Sequence, residues 1–121
     1  MKRLLLNEYP KRKKTAGLIN PKVSVITVCY NSAATIERTI CSVKNQSYKN
    51  IEYIIVDGKS SDSTIQIVKK FNCIDKLISE EDSGIYDAMN KGISAASGEI
   101  IAFLNADDFY KQSDIVEKAV K

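Results

Sequence analysis

The chain has 121 residues, 44% hydrophobic and 27% charged, an ordinary composition for one globular domain with a core of its own. Its formal net charge of +3 is local: Lys2, Arg3, Lys11, Arg12, Lys13 and Lys14 precede the first long apolar run, the remainder is slightly acidic, and no basic–aromatic interleaving of the nucleic-acid-binding kind occurs. There is no histidine, which excludes serine triads of the usual kind and histidine-built zinc sites, and nothing approaches the ~20 apolar residues of a membrane span.

Residues 1–21 read as a basic, solvated tail ending in Asn20-Pro21. Such a tail is drawn to an anionic membrane face, so peripheral membrane contact is its candidate role. Leu4-Leu5-Leu6 is too short for the apolar stretch of a signal peptide. Cys29, Cys41 and Cys73 are odd in number and lack metal-type spacing, which predicts reduced, buried thiols in a cytoplasmic protein.

Residues 22–121 alternate between strand and helix patterns. Val23–Val28 is a β-branched run and predicts a buried strand. Tyr30-Asn31-Ser32 is turn chemistry, with Asn31 or Ser32 able to cap the helix that Ile36, Ile40 and Val43 mark as far as Gln46. Ile51–Val56 predicts a second strand, followed by a turn-rich loop from Asp57 to Asp62. Ile65, Val68 and Phe71 mark a second helix, and Lys76–Ser79 a short third strand. An acidic loop, Glu80–Gly84, leads into a third helix with Ile85, Ala88, Met89, Gly92 and Ala96 on one face and Gly98 closing it. Ile100–Leu104 predicts a fourth strand, and Ser113 a cap for a last helix through Val120.

Alternating strands and helices predict an α/β fold with a mostly parallel sheet and helices on both faces. In such sheets ligands bind beyond the carboxyl ends of the strands. The polar clusters Tyr30-Asn31, Asp57-Gly58 and Asp107-Asp108 all fall on that edge. Two adjacent carboxylates at a strand end repel one another unless something positive joins them. A hard divalent cation, Mn2+ or Mg2+, bridging to substrate phosphates fits that need; a solvated loop pair is the plainer reading. Asp57 could accept a hydrogen bond from a nucleobase or ribose, or serve only its turn. Tyr30 could stack on a base, or only pack. Asp82 and Gly84 could shape a loop over a substrate, while Asp87 and Asn90 lie on the polar side of the third helix.

Four segments together resemble glycosyltransferase family 2 enzymes of the Rossmann-like GT-A fold. They are Val23–Asn31, Ile55–Thr64, Asp82–Gly92 and Ser97–Asp108, and the Gly84–Gly92 piece is similar to bacterial members that build surface polysaccharides. The resemblance implies an inverting, metal-dependent transferase that moves a sugar from a nucleoside-diphosphate sugar, most often a UDP-sugar, to a glycan or lipid-linked acceptor. It further implies that Tyr30 and Asp57 hold the base, that Asp107 and Asp108 end the family's DxD metal motif, and that Asn90 lies near the pocket. Two departures stand out: Gly58 replaces a frequent second aspartate, and Asn105 the first aspartate of the DxD motif. The catalytic base of the family lies downstream, in the acceptor half, so it is expected beyond residue 121, with the fold truncated before that half. Two rival classes are a nucleotide-sugar-binding module without turnover, and a dinucleotide enzyme, which would need a GxGxxG after the first strand that this chain lacks.

Overall fold

The structure is a computed structural model that describes the backbone of Arg3–Leu4 and residues 20–120. Its elements are β1 (Arg3–Leu4), β2 (Val23–Cys29), α1 (Ile36–Lys44), β3 (Ile51–Asp57), α2 (Thr64–Val68), β4 (Lys76–Ser79), α3 (Ile85–Ala95), β5 (Ile100–Phe103) and α4 (Ile115–Val120). The strands form one sheet in the order β1-β5-β2-β3-β4, and every pairing is parallel.

Side chains alternate between the two sheet faces, and each face is covered. Val23, Val25, Tyr53, Ile55, Ile100 and Ala102 pack under Ile36, Ile40 and Val43 of α1, Val68 of α2 and Val116 of α4. On the opposite face Ile26, Ile54, Val56 and Ile101 meet Ala88 of α3. A parallel sheet buried on both sides needs near-continuous apolar strands, and β2, β3 and β5 supply them. Gly92 lets α3 lie close: a β-carbon there would stand 2.5 Å from Ile26 Cγ2.

Several local expectations need correction. Two residues within the expected tail, Arg3 and Leu4, pair in parallel with Ile100 and Ile101 as an edge strand; the rest of the tail before Asn20 lies outside the described residues. Neither Asn31 nor Ser32 caps α1, whose N-cap is Thr35 with no side-chain cap bond. Gly98 does not close α3 by a left-handed turn; it is small because a β-carbon would sit 2.6 Å from Ser24 Oγ and 2.7 Å from the Lys22 carbonyl oxygen. Ser113 lends only its carbonyl, to Ser47 N–H at 2.7 Å, while the Val116 N–H at the start of α4 donates to Gln46 Oε1 at 3.0 Å. All three cysteines are free, but only Cys29 is buried.

At the amino edge of the sheet, away from the loops discussed below, Glu52 accepts bonds from Ser24 Oγ (2.7 Å), Ser97 N–H (2.8 Å) and Ser97 Oγ (2.9 Å), and pairs with Lys76 at 3.2 Å. Burial works to raise its pKa, but the two serines and Lys76 together outweigh burial and bring the carboxyl from 4.5 down to about 2. The folded state therefore gains stability from ionised Glu52 above pH ~4.5 and loses it as pH falls from there towards about 2. The total is on the order of 3 kcal/mol. Glu52→Gln should lower stability at pH 7 and flatten this acid limb, measured by urea unfolding across pH 2–6; an unchanged acid limb would show that Glu52 does not carry it.

Candidate functional site

Three loops leave the carboxyl edge of the sheet, and the first two are stitched together. Asn31 sits at φ 49°, a left-handed conformation that asparagine tolerates. From there its Oδ1 accepts the N–H groups of Ser61 (2.8 Å) and Asp62 (3.3 Å), while its own N–H donates to Ser60 Oγ at 2.8 Å. Asp62 returns the contact by accepting Ala33 N–H at 3.2 Å, and Ser32 N–H donates to Thr64 Oγ1 at 2.8 Å. The side-chain bond from Thr64 leads the effects that hold the Asp62 carboxyl below its usual range. Asn31 is thus a brace between loops.

Asp57 lies beneath this brace, with no exposed surface. Its Oδ1 accepts Ser60 Oγ (2.5 Å) and Cys29 Sγ (3.4 Å), and its Oδ2 accepts Ser60 N–H (2.9 Å) and Ser79 Oγ (2.9 Å). A carboxylate offers about four acceptor positions, and these partners fill them. Burial first, then the charge of Asp57, pushes the Cys29 thiol far up, so it stays protonated and donates. The structure places Asp57 behind the loops, as their anchor.

In front of the loops, between the strand ends and α3, lies a cavity of about 420 Å³. Val28, Cys29, Ile85 and Ala88 form apolar parts of its lining, and Tyr30, Ser32, Asp82, Asn105 and Asp107 its polar parts. Tyr30 is 63% exposed, high for an aromatic ring beside a cavity. Gly58 makes room here: a β-carbon would stand 2.8 Å from Asp82 Oδ2 and 3.4 Å from Tyr30 Cδ1. Gly84, at φ 117°, starts α3 in backbone that L side chains rarely adopt, and its N–H donates to Asp82 Oδ1 at 3.0 Å. This leaves Asp82 Oδ2 facing Gly58.

Asp87 serves α3: it accepts Ser83 N–H at 2.9 Å and pairs with Lys91 at 3.6 Å. Lys91 also reaches Glu80 at 3.2 Å and the Glu81 carbonyl at 2.6 Å, fastening the acidic loop to the helix. Asn90 is exposed on α3 and is not part of the cavity lining.

Asp107 and Asp108 are both exposed. The ion pairs among the described residues are Lys76–Glu52, Lys91–Glu80, Lys91–Asp87 and Lys118–Asp114, so neither aspartate has a cation there. Asp108 Oδ1 accepts Phe109 N–H at 2.8 Å, while Asp107 lines the cavity. No group of three or more His, Cys, Asp or Glu gathers as a metal cage among the described residues. The donors on hand are the carboxylates of Asp107 and Asp108, a set that a hard cation can use only if its other ligands come from phosphate and water. Of the residues singled out in the sequence, Tyr30, Asp82 and Asp107 meet on the cavity with Gly58 beside them. Asn31 and Asp57 hold the loops that bear Tyr30 and Gly58, and Asp87 fastens the start of α3. The apolar lining, Val28, Ile85 and Ala88, gave no signal beyond core periodicity.

Comparisons with known proteins agree with one another. The profile of the family described as Glycosyl transferase family 2 matches residues 24–121. A putative teichuronic acid biosynthesis glycosyltransferase, TuaG of Bacillus subtilis, is 43% identical over 105 residues, covering 84% of this chain and 41% of the relative. Among solved structures, S. aureus TarS 1-349 in complex with UDP-GlcNAc matches at TM-score 0.68 and 31% identity, over 73% of this chain and 27% of that one. A mannosyltransferase from Pyrobaculum calidifontis in complex with GDP-Man and Mn2+ matches at TM-score 0.76 and 26% identity, over 86% of this chain and 35% of that one. The chain thus spans less than half the length of these relatives.

Proposed function

The chain belongs to glycosyl transferase family 2, and from that premise we propose that residues 22–121 are the donor-binding part of an inverting, metal-dependent glycosyltransferase acting on a UDP-sugar. The observation that carries this reading is the cavity at the carboxyl edge of the sheet, lined by exposed Tyr30 and by Asp107, which has no ion pair among the described residues. A nucleoside diphosphate has matching ends, a flat base and a dense negative charge. Tyr30 offers a stacking face for the base. Asp107, with Asp108 beside it, would hold Mn2+ or Mg2+, which when bound would supply positive charge for the diphosphate. Asp82 lines the same cavity, as a candidate contact for the sugar. Asp57 acts on the base site at one remove, through Cys29, Ser60 and the Asn31 brace.

The acceptor is a glycan or lipid-linked hydroxyl, in keeping with the TuaG relative's role in teichuronic acid biosynthesis. Its deprotonation requires a general base within hydrogen-bond reach of the hydroxyl. The setting is the cytoplasm, at the inner membrane face, with the basic tail as contact. No helix among the described residues is long and apolar enough to cross a membrane.

Calorimetry with UDP, GDP and NAD in Mn2+ tests the reading. UDP should bind, and Tyr30→Ala should weaken it by about tenfold, since base–aromatic stacking is worth about 1–3 kcal/mol. Preference for GDP would revise the base, and binding of NAD without UDP would sink the assignment in favour of a dinucleotide enzyme.

A further inference from the structure

We propose that Thr39, with Thr35, is a positioning residue for the Asp107 loop, and so sets the response of nucleotide binding to a divalent cation. This rests on the reading of Asp107 and Asp108 as the metal-holding pair. Thr35, Thr39 and Ser42 lie three and four residues apart on α1 and so share one helix face. That face runs along the backbone from Ala106 to Tyr110. Thr35 Oγ1 donates to the Ala106 carbonyl at 2.7 Å. Thr39 Oγ1 lies 2.9 Å from the same carbonyl and 2.5 Å from that of Asp108. Ser42 Oγ accepts Tyr110 N–H at 3.0 Å.

A hydroxyl carries one proton. Thr35 can satisfy Ala106, and the Thr35 carbonyl at 3.4 Å is the farthest of the three acceptors around Thr39 Oγ1, which leaves the Thr39 proton for Asp108. The two carbonyls on either side of Asp107 are then each held by their own donor. Thr39 has no exposed surface, so water does not replace its proton when it is removed. The remaining backbone ties act from the other side: Ala106 N–H donates to Val28 O at 3.3 Å, and Asp108 N–H to Asn105 O at 3.0 Å. Arg38 stacks over Phe109, with the guanidinium carbon 4.3 Å from the ring centroid. Asp107 therefore sits at the tip of a turn fixed on both flanks while its own side chain is left exposed. A carboxylate that must meet both a cation and a diphosphate needs that placement before the ligand arrives.

The test compares wild type with Thr39→Val, which keeps the shape and removes the proton, and Thr39→Ser, which keeps the proton. Three readouts are taken on the full chain: melting temperature, amide chemical shifts of residues 105–110 without ligand, and UDP affinity in EDTA and in Mn2+. Thr39→Val should shift the 106–109 amides and cut the Mn2+-dependent gain in UDP affinity about tenfold or more, with affinity in EDTA within twofold of wild type. Thr39→Ser should retain the gain. A folded Thr39→Val with the full Mn2+ gain overturns the inference, as does equal loss in EDTA and in Mn2+, which marks a purely structural role. A wild-type chain whose UDP affinity ignores Mn2+ overturns the metal reading, and this inference with it.

Discussion

Replacing Asp107 and Asp108 together by asparagine should remove the Mn2+-dependent part of UDP binding, a loss of about a hundredfold or more, near 2.7 kcal/mol. The sign of the effect should depend on the cation. In EDTA, the two exposed carboxylates repel an approaching diphosphate, since no lysine or arginine of the described residues pairs with either. The asparagine variant lacks that repulsion and should bind UDP in EDTA as well as wild type or better. In Mn2+ the order reverses, because the carboxylates then hold the ion that the diphosphate needs. The single variants should be unequal. Asp107 lines the cavity, whereas Asp108 turns one oxygen back to Phe109 N–H, so Asp107→Asn should account for most of the loss. Titration calorimetry of the three variants with and without Mn2+ decides this. A double variant that keeps the full Mn2+ gain would remove both residues from the metal site.

The sheet was legible because it rests on local patterns. β-Branched runs at 23–28 and 51–56 are buried on both faces and leave little choice of element. The placing of Tyr30 and Asp107 on one edge was legible too, since parallel topology puts all strand ends together. Bonds across long sequence separations were not. Asp57 is met by Ser79, 22 residues on, and nothing in the local string announces that partner. Thr39 reaches Asp108 across 69 residues, and a threonine one step from an apolar helix stripe looks like any solvated position. Gly98 was assigned to the helix before it, yet the crowding that requires it comes from Lys22 and Ser24. Leu4 was hidden in a basic segment, where its pairing with Ile101 depends on the sheet edge already being there.

Asp57 carries the other large expectation. The family resemblance implies that it contacts the base. Its burial and its four donors give it a further duty, holding the loops together. Asp57→Ala leaves Ser60 N–H, the hydroxyls of Ser60 and Ser79, and the Cys29 thiol without their acceptor in a site closed to solvent. Bonds to a charged acceptor contribute about 1.5–3 kcal/mol, and orphaned buried donors add to the loss. The variant should lose roughly 2–4 kcal/mol and melt about 8–20 °C lower. Asp57→Asn should fall between, since one oxygen survives while the amide nitrogen faces a donor. Loosening Ser60 also frees Asn31 N–H and the Ser61–Asp62 brace, so Tyr30 loses its fixed bearing. UDP affinity should therefore fall in step with stability across the two variants. Urea unfolding beside calorimetry on the folded protein separates the two roles: an Asp57→Ala chain with wild-type stability and weakened UDP binding would restore the direct contact with the base, because an anchor that satisfies four buried donors cannot be removed without cost to the fold.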